Sequence, residues 1–129
     1  MALSLTHIHL RVESPEETAA WFADHLEGKL IERYETAAGG PAIGIDMAGT
    51  RINIMGSPPG QSLPAATSDP HMGVEHFGFE TEDLEGLVSK LKAKGVQVLE
   101  PIRPGRNGTL CYVEAPGNLR IELQQYATR

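Results

Sequence analysis

LTHIHLRV, residues 5–12, sets two histidines two positions apart in an otherwise apolar run and follows them with an arginine. On a strand, successive side chains point to opposite faces. His7, His9 and Arg11 therefore share one face, and Ile8, Leu10 and Val12 share the other. The apolar face suits a core. The face with two imidazoles and a guanidinium has no packing reason for those residues, which marks it as a candidate site.

Working outward, the chain falls into a pattern. SPEETAAWFADHLEG, 14–28, reads as a helix: Ser14 is a candidate N-cap, Pro15 suits the first turn, and Glu17 completes a capping box. Trp21, Phe22 and Leu26 supply its buried stripe, Gly28 its stop, and His25 a solvated position. Three strand-like runs follow, KLIERYE (29–35), PAIGIDM (41–47) and TRINIM (50–55), parted by AAGG and AGT turns. GSPPGQSLPAATSDPH, 56–71, is rich in Pro, Gly and Ser and reads as a linker or lid.

Then the pattern starts again. GVEHFGFE (73–80) reads as a strand. TEDLEGLVSKLKAKG (81–95) reads as a helix with Leu84, Leu87, Val88 and Leu91 inward and Lys94 and Gly95 at its end. VQVLE (96–100), TLCYVE (109–114) and NLRIELQQ (118–125) complete it, with APGN as the turn before the last. EPIRPGRNGT reads as a loop before a strand. Its Arg103 and Arg106 either clamp a carboxylate or phosphate or belong to a solvated turn.

The repetition is a fixed register. His7 plus 69 is His76, and Asn53 plus 69 is Glu122, so one offset relates both the first and the last strands of the two halves. The arginines keep it too, Arg51 with Arg120. By alternation the polar faces carry His7, His9 and Arg11 with Arg51, Asn53 and Met55 in the first half. In the second they carry His76, Gly78 and Glu80 with Arg120, Glu122 and Gln124.

The gross numbers bound the rest. The 129 residues suffice for one domain, with a first module at about 4–56, a linker at about 57–71 and a second module at about 72–126. A net charge of -6 argues against a nucleic-acid partner, and no apolar run reaches a membrane span. The first residues lack the basic start and apolar core of a signal peptide. The lone Cys111 forms no internal disulfide and reads as a small core hydrophobe. A cytoplasmic protein is the expectation.

Strand, helix and three strands, twice over, with HIHLRV opening one copy and EHFGFE the other, resembles the vicinal oxygen chelate superfamily. That superfamily includes glyoxalases, epimerases, extradiol dioxygenases and the bleomycin and fosfomycin resistance proteins. YVEAPGNLRIELQQ is the most specific piece, similar to the family's turn and final strand ending in a metal-binding Glu. Ala115 departs from that turn's acidic pattern. The resemblance implies an α+β fold of two βαβββ modules whose curved sheet encloses a metal-binding cup.

It also implies four metal-lining positions, which fall here on His7, Asn53, His76 and Glu122. Asn53 departs from the Glu or Gln that glyoxalases offer. It would ligate, hold a metal-bound water or leave that corner open. His7, His76 and Glu122 form a set that suits a divalent transition metal, Fe, Mn, Co, Ni or Zn. In this reading Glu122, His9 and Glu80 are the candidate catalytic bases, and Glu80 alternatively pairs with Arg11. Arg11, Asn53, Arg103 and Arg106 are candidate contacts to a small, anionic substrate.

The expected function is a metal-dependent lyase, isomerase or epimerase acting on adjacent oxygens through an enolate-like intermediate. An Fe(II) extradiol dioxygenase is the alternative, and a drug-binding resistance protein a further one. Exposed sheet edges at the module ends point to a homodimer.

Overall fold

Parallel strands cannot be joined by a tight turn, so a chain that pairs its first and last strands in parallel needs a crossover between them. Each half of this chain is built that way. The computed structural model describes residues 2–127. It separates into two compact units, Met1–Pro64 and Ala65–Arg129.

The first unit runs β1 (Ile8–Arg11), α1 (Pro15–Leu26), β2 (Lys29–Glu35), β3 (Pro41–Met47) and β4 (Thr50–Met55). Its mixed sheet has the order β1-β4-β3-β2, with β1 parallel to β4 and the other pairs antiparallel. The second unit runs β5 (His76–Glu80), α2 (Leu84–Ala93), β6 (Val98–Pro104), β7 (Gly108–Ala115) and β8 (Leu119–Tyr126). Its order is β5-β8-β7-β6, with β5 parallel to β8. The α+β fold of two βαβββ modules is as expected.

One face of each sheet is the core. Leu10, Ile43, Ile45, Ile52 and Ile54 are buried in the first unit, where α1 lies against β2, β3 and β4. Cys111, Val113, Ile121 and Leu123 are buried in the second, and Leu84, Val88 and Leu91 of α2 are buried with them. Burial on alternate residues leaves the opposite face of β4 and β8 to Arg51, Asn53, Arg120 and Glu122.

Several local expectations change. β1 begins at Ile8, so His7 lies in the extended lead-in before the ladder. Ser14 makes no side-chain cap bond, although its carbonyl accepts from the Thr18 N–H at 3.0 Å. The buried stripe of α1 is Thr18, Ala19 and Phe22, while Trp21 and Leu26 are half-buried. His25 is half-buried: its ring meets Trp21 edge-on at 4.9 Å and its Nδ1 is enclosed.

Glu27, not Gly28, takes the left-handed conformation that ends α1, with φ 60°. Gly28 is needed for a different reason. A Cβ there would stand 2.8 Å from Met47 Sδ and 3.1 Å from the Phe22 backbone. α2 is capped by Asp83, whose carboxylate accepts from Gly86 N at 3.0 Å.

The largest change is at β6. Pro101, Ile102, Arg103 and Pro104 are strand, not loop. Two prolines are tolerated because β6 is the sheet's edge, where a missing N–H costs no ladder bond. The segment before β5 is also fastened down. Ser68 Oγ donates to Glu114, Asn118 Nδ2 donates to Ala66 O, and Arg120 donates to Ser68 O at 3.0 Å.

Cys111 is fully enclosed in β7, and that burial pushes its thiol up to about 11. At pH 8 the sulfur is therefore both protonated and shielded. In the native protein it should stay unreactive toward a chromogenic aromatic disulfide at pH 8, while the urea-unfolded chain reacts with one equivalent. Prompt labelling of the native protein would contradict this packing.

Candidate functional site

The open face of each sheet carries a row of residues paired strand to strand. In the first unit the row is His9, Asn53, Gly44 and Glu32, on β1, β4, β3 and β2. In the second it is Gly78, Glu122, Tyr112 and Glu100, on β5, β8, β7 and β6. A one-residue bulge in the edge strand precedes both Glu32 and Glu100 and brings each into its row.

An arginine straps each row. In the first unit Arg51 donates from Nε to Asn53 Oδ1 at 2.7 Å and from Nη2 to Glu32 at 2.6 Å. Its guanidinium lies over Gly44, where a Cβ would stand 2.5 Å from Nη2. In the second unit Arg120 stacks over the Tyr112 ring at 4.1 Å from its centre and bonds Glu100 with Nη2. The middle strand thus supplies either no side chain or an aromatic face for the cation to cross.

This strap decides what Asn53 offers. A guanidinium only donates, so the atom facing Arg51 Nε must be the amide oxygen. That bond sets the amide's orientation and leaves its –NH2 group as a donor and the oxygen's second lone pair as an acceptor.

In the second unit Tyr112 touches both candidate ligands. Its hydroxyl donates to Glu122 Oε1 at 2.9 Å, and its ring meets His76 edge-on at 5.0 Å. Burial, then the Glu122 bond, pushes the Tyr112 hydroxyl up to about 12, so it remains a donor. Gly78 leaves Glu122 room, since a Cβ there would lie 3.1 Å from Oε2. His9 occupies the equivalent place opposite Asn53.

Both register histidines are contacted at Nδ1 by the residue before them. Thr6 Oγ1 lies 2.9 Å from His7 Nδ1, and Glu75 Oε1 lies 2.9 Å from His76 Nδ1. The His76 hydrogen bond, helped by the charges of Arg120 and His71, holds the Glu75 carboxyl below its usual range. Burial, then the Arg11 and His7 charges, lowers His9 from its ordinary value, which favours the neutral imidazole.

The remaining candidates lie outside these two rows. Arg11 donates to Gly56 O at 2.7 Å. Glu80 ends β5 opposite Gln124. Arg103 lies in β6, 3.5 Å from Glu100, and Arg106 is exposed in the turn after it. The stretch read as one loop is thus strand at Arg103 and turn at Arg106. A cavity of about 420 Å³ in the second unit, lined by Asp83, Glu85, Gln125 and Tyr126 among others, contains none of the candidates.

Among the described residues, neither unit by itself gathers three His, Cys, Asp or Glu side chains that could hold a metal ion. Of the expected ligands, His7 lies in the first unit and His76 and Glu122 lie in the second. Glu75, Tyr112, Arg120 and Glu100 are not among the site residues expected from the sequence. A carboxylate directly before His76 and the Arg51/Arg120 pair were the available signals.

Against known proteins, residues 4–123 match the Glyoxalase/Bleomycin resistance protein/Dioxygenase superfamily. The chain belongs to this superfamily. It is 24% identical to glyoxalase I of Saccharomyces cerevisiae over 97% of this chain and 45% of that protein. It is 28% identical to biphenyl-2,3-diol 1,2-dioxygenase 3 of Rhodococcus globerulus over 96% of this chain and 65% of that one. The chain thus spans about half to two thirds of these curated relatives. A solved variant of the fosfomycin resistance protein FosX from Listeria monocytogenes superposes with a TM-score of 0.74 and 26% identity. That match covers 100% of this chain and 95% of the other.

For this glyoxalase-superfamily chain the Tyr112–Glu122 bond has a direct test. Tyr112→Phe should lower unfolding stability by about 1.5–3 kcal/mol, as expected for a hydrogen bond to a charged group. Urea denaturation should show the change in the midpoint with an unaltered slope.

Proposed function

We propose that the chain is a divalent-metal-dependent enzyme of the lyase, isomerase or epimerase type. Its substrate is a small, anionic molecule with two adjacent oxygens. His7, His76 and Glu122 hold the metal. The observation that carries the reading is the second unit's site: Glu75 engages His76 at Nδ1, which leaves Nε2 for a ligand, and Tyr112 touches both His76 and Glu122. Two imidazoles and a carboxylate fit Fe, Mn, Co, Ni or Zn. The FosX structure named above was solved with Mn(II) and 1S,2S-dihydroxypropylphosphonic acid, which supports both a transition metal and an anionic substrate with neighbouring oxygens.

When bound, the metal supplies Lewis acidity toward the substrate's paired oxygens. The chain's own groups do the rest. The Asn53 amide donates to a substrate oxygen, fixed in direction by Arg51. The Arg11 guanidinium has N–H groups beyond the one bound to Gly56 O, and these suit a carboxylate or phosphonate. His9 stands beside Asn53 on the same face and, as a neutral imidazole, accepts a proton from the substrate carbon. Glu80 is the second candidate base.

A homodimer is part of this proposal, and the sheet edges support it. Leu3, Leu5, Met72 and Val74 lead into the edge strands β1 and β5 and are 93%, 78%, 96% and 84% exposed. They also keep the 69-residue register. Apolar residues along an unpaired edge favour association. No helix among the described residues is long and apolar enough to cross a membrane. The cytoplasm is the proposed compartment.

The second reading is an Fe(II) ring-cleaving dioxygenase, favoured by the 28% identity to the biphenyl-diol enzyme. Loading with Fe(II) under anaerobic conditions and then admitting oxygen with a catechol separates the two. Oxygen uptake selects the dioxygenase, and its absence removes it. A drug-sequestering protein would leave the ligand set unused.

Protein purified without a polyhistidine tag should contain about one divalent metal per site by elemental analysis. His7→Ala, His76→Ala and Glu122→Ala should each lose most of it. Full metal retention in all three would end the proposal. His9→Gln should keep the metal and lower kcat by roughly 100-fold, in the range of a lost general base. Loss of the metal from this variant would instead make His9 a ligand.

A further inference from the structure

We propose that Glu75, held by Arg120, is a positioning residue that fixes His76 with its proton on Nδ1 and so presents Nε2 as the ligand atom. This rests on the reading of His76 as a metal ligand.

A carboxylate only accepts, so the 2.9 Å contact from Glu75 Oε1 requires the proton on His76 Nδ1. Adjacent strand residues point to opposite faces, so this contact is not one that a regular strand provides. It forms because β5 begins at His76 and Glu75 lies just before the ladder.

Arg120 supplies the hold. It pairs directly with His76 across β5 and β8, and it is only 7% exposed. Its Nε lies 3.6 Å from the same Glu75 oxygen, an ion pair too long for a hydrogen bond. Its other partners are the Glu100 carboxylate, the Ser68 carbonyl at 3.0 Å and the Tyr112 ring. A cation fixed on four sides keeps the carboxylate against His76.

The first unit provides the contrast. Thr6 stands 69 residues before Glu75 and makes the same contact to His7 Nδ1. A hydroxyl both donates and accepts, so it does not dictate the tautomer. The two register histidines are therefore unequal: His76 is preset and His7 is not. A carboxylate on the far nitrogen also raises the basicity of the ligating one, and loss of such partners costs roughly 10–100-fold in metal affinity.

The test uses the metal-free and Zn(II)-loaded full chain with Glu75→Leu and Glu75→Thr, the latter copying the first unit. Circular dichroism checks folding. In metal-free protein labelled with nitrogen-15 at histidine, His76, assigned by its loss in His76→Gln, should show one tautomer with Nδ1 protonated. Both Glu75 variants should shift that population toward Nε2–H. Competition with a chromogenic chelator should show Zn(II) affinity reduced roughly 10–100-fold in Glu75→Leu.

A wild-type His76 protonated on Nε2 overturns the proposal. So does unchanged affinity in Glu75→Leu, whether or not the tautomer moves. If a folded variant is not obtained for Leu, the Thr variant decides alone by the same readouts. Failure of the metal reading looks different: His76→Gln would then bind Zn(II) as tightly as the wild type.

Discussion

Each unit depends on the parallel pairing of its first strand with its last, β1 with β4 and β5 with β8. That pairing forces a crossover, and the crossover is a helix that buries one face of the sheet. The strands between return antiparallel, so β4 and β8 become inner strands flanked on both sides. An inner strand holds its side chains in fixed register with neighbours on either hand. Asn53 and Glu122 sit on those strands, so each is held in register from both sides.

The same geometry explains why each inner strand carries an arginine two residues before its site residue. Arg51 and Arg120 share a face with Asn53 and Glu122, and each reaches across the middle strand to a glutamate on the edge. A cation on a half-covered sheet needs such partners to offset its desolvation. What lies beneath it then sets the chemistry. Gly44 lets Arg51 drop low enough to take the Asn53 oxygen. Tyr112 holds Arg120 up, and its own hydroxyl is left for Glu122. One duplicated scaffold thereby presents an arginine-bonded amide in one unit and a tyrosine-bonded carboxylate in the other.

Much of this was legible in the sequence. The bounds of β2, β3 and β4 follow directly from alternation and Gly-containing turns, because local patterning and turn chemistry agree there. The 69-residue register matches His7 to His76 and Asn53 to Glu122 from residue order alone. Less legible were the parts governed by partners distant in sequence. β6 runs through Pro101 and Pro104, which alternation rules cannot foresee because edge position is a property of the sheet. Arg103 consequently sits in a strand beside Glu100. Ser14 fits the capping pattern without making the bond, and Asp83 makes one that was not anticipated.

The sequence by itself determined the repeat, the alternation and hence which side chains share the polar face of each strand, since these depend only on residue order and the period of an extended chain. Tertiary structure alone decided who meets whom on that face. The bulges before Glu32 and Glu100 shift the edge strands by one residue. The start of β5 at His76 frees Glu75 to turn toward its neighbour. The choice of Gly44 or Tyr112 beneath an arginine selects that arginine's partners. Each of these is a contact between strands, where a single residue's displacement changes the face or the partner, and no local pattern encodes it.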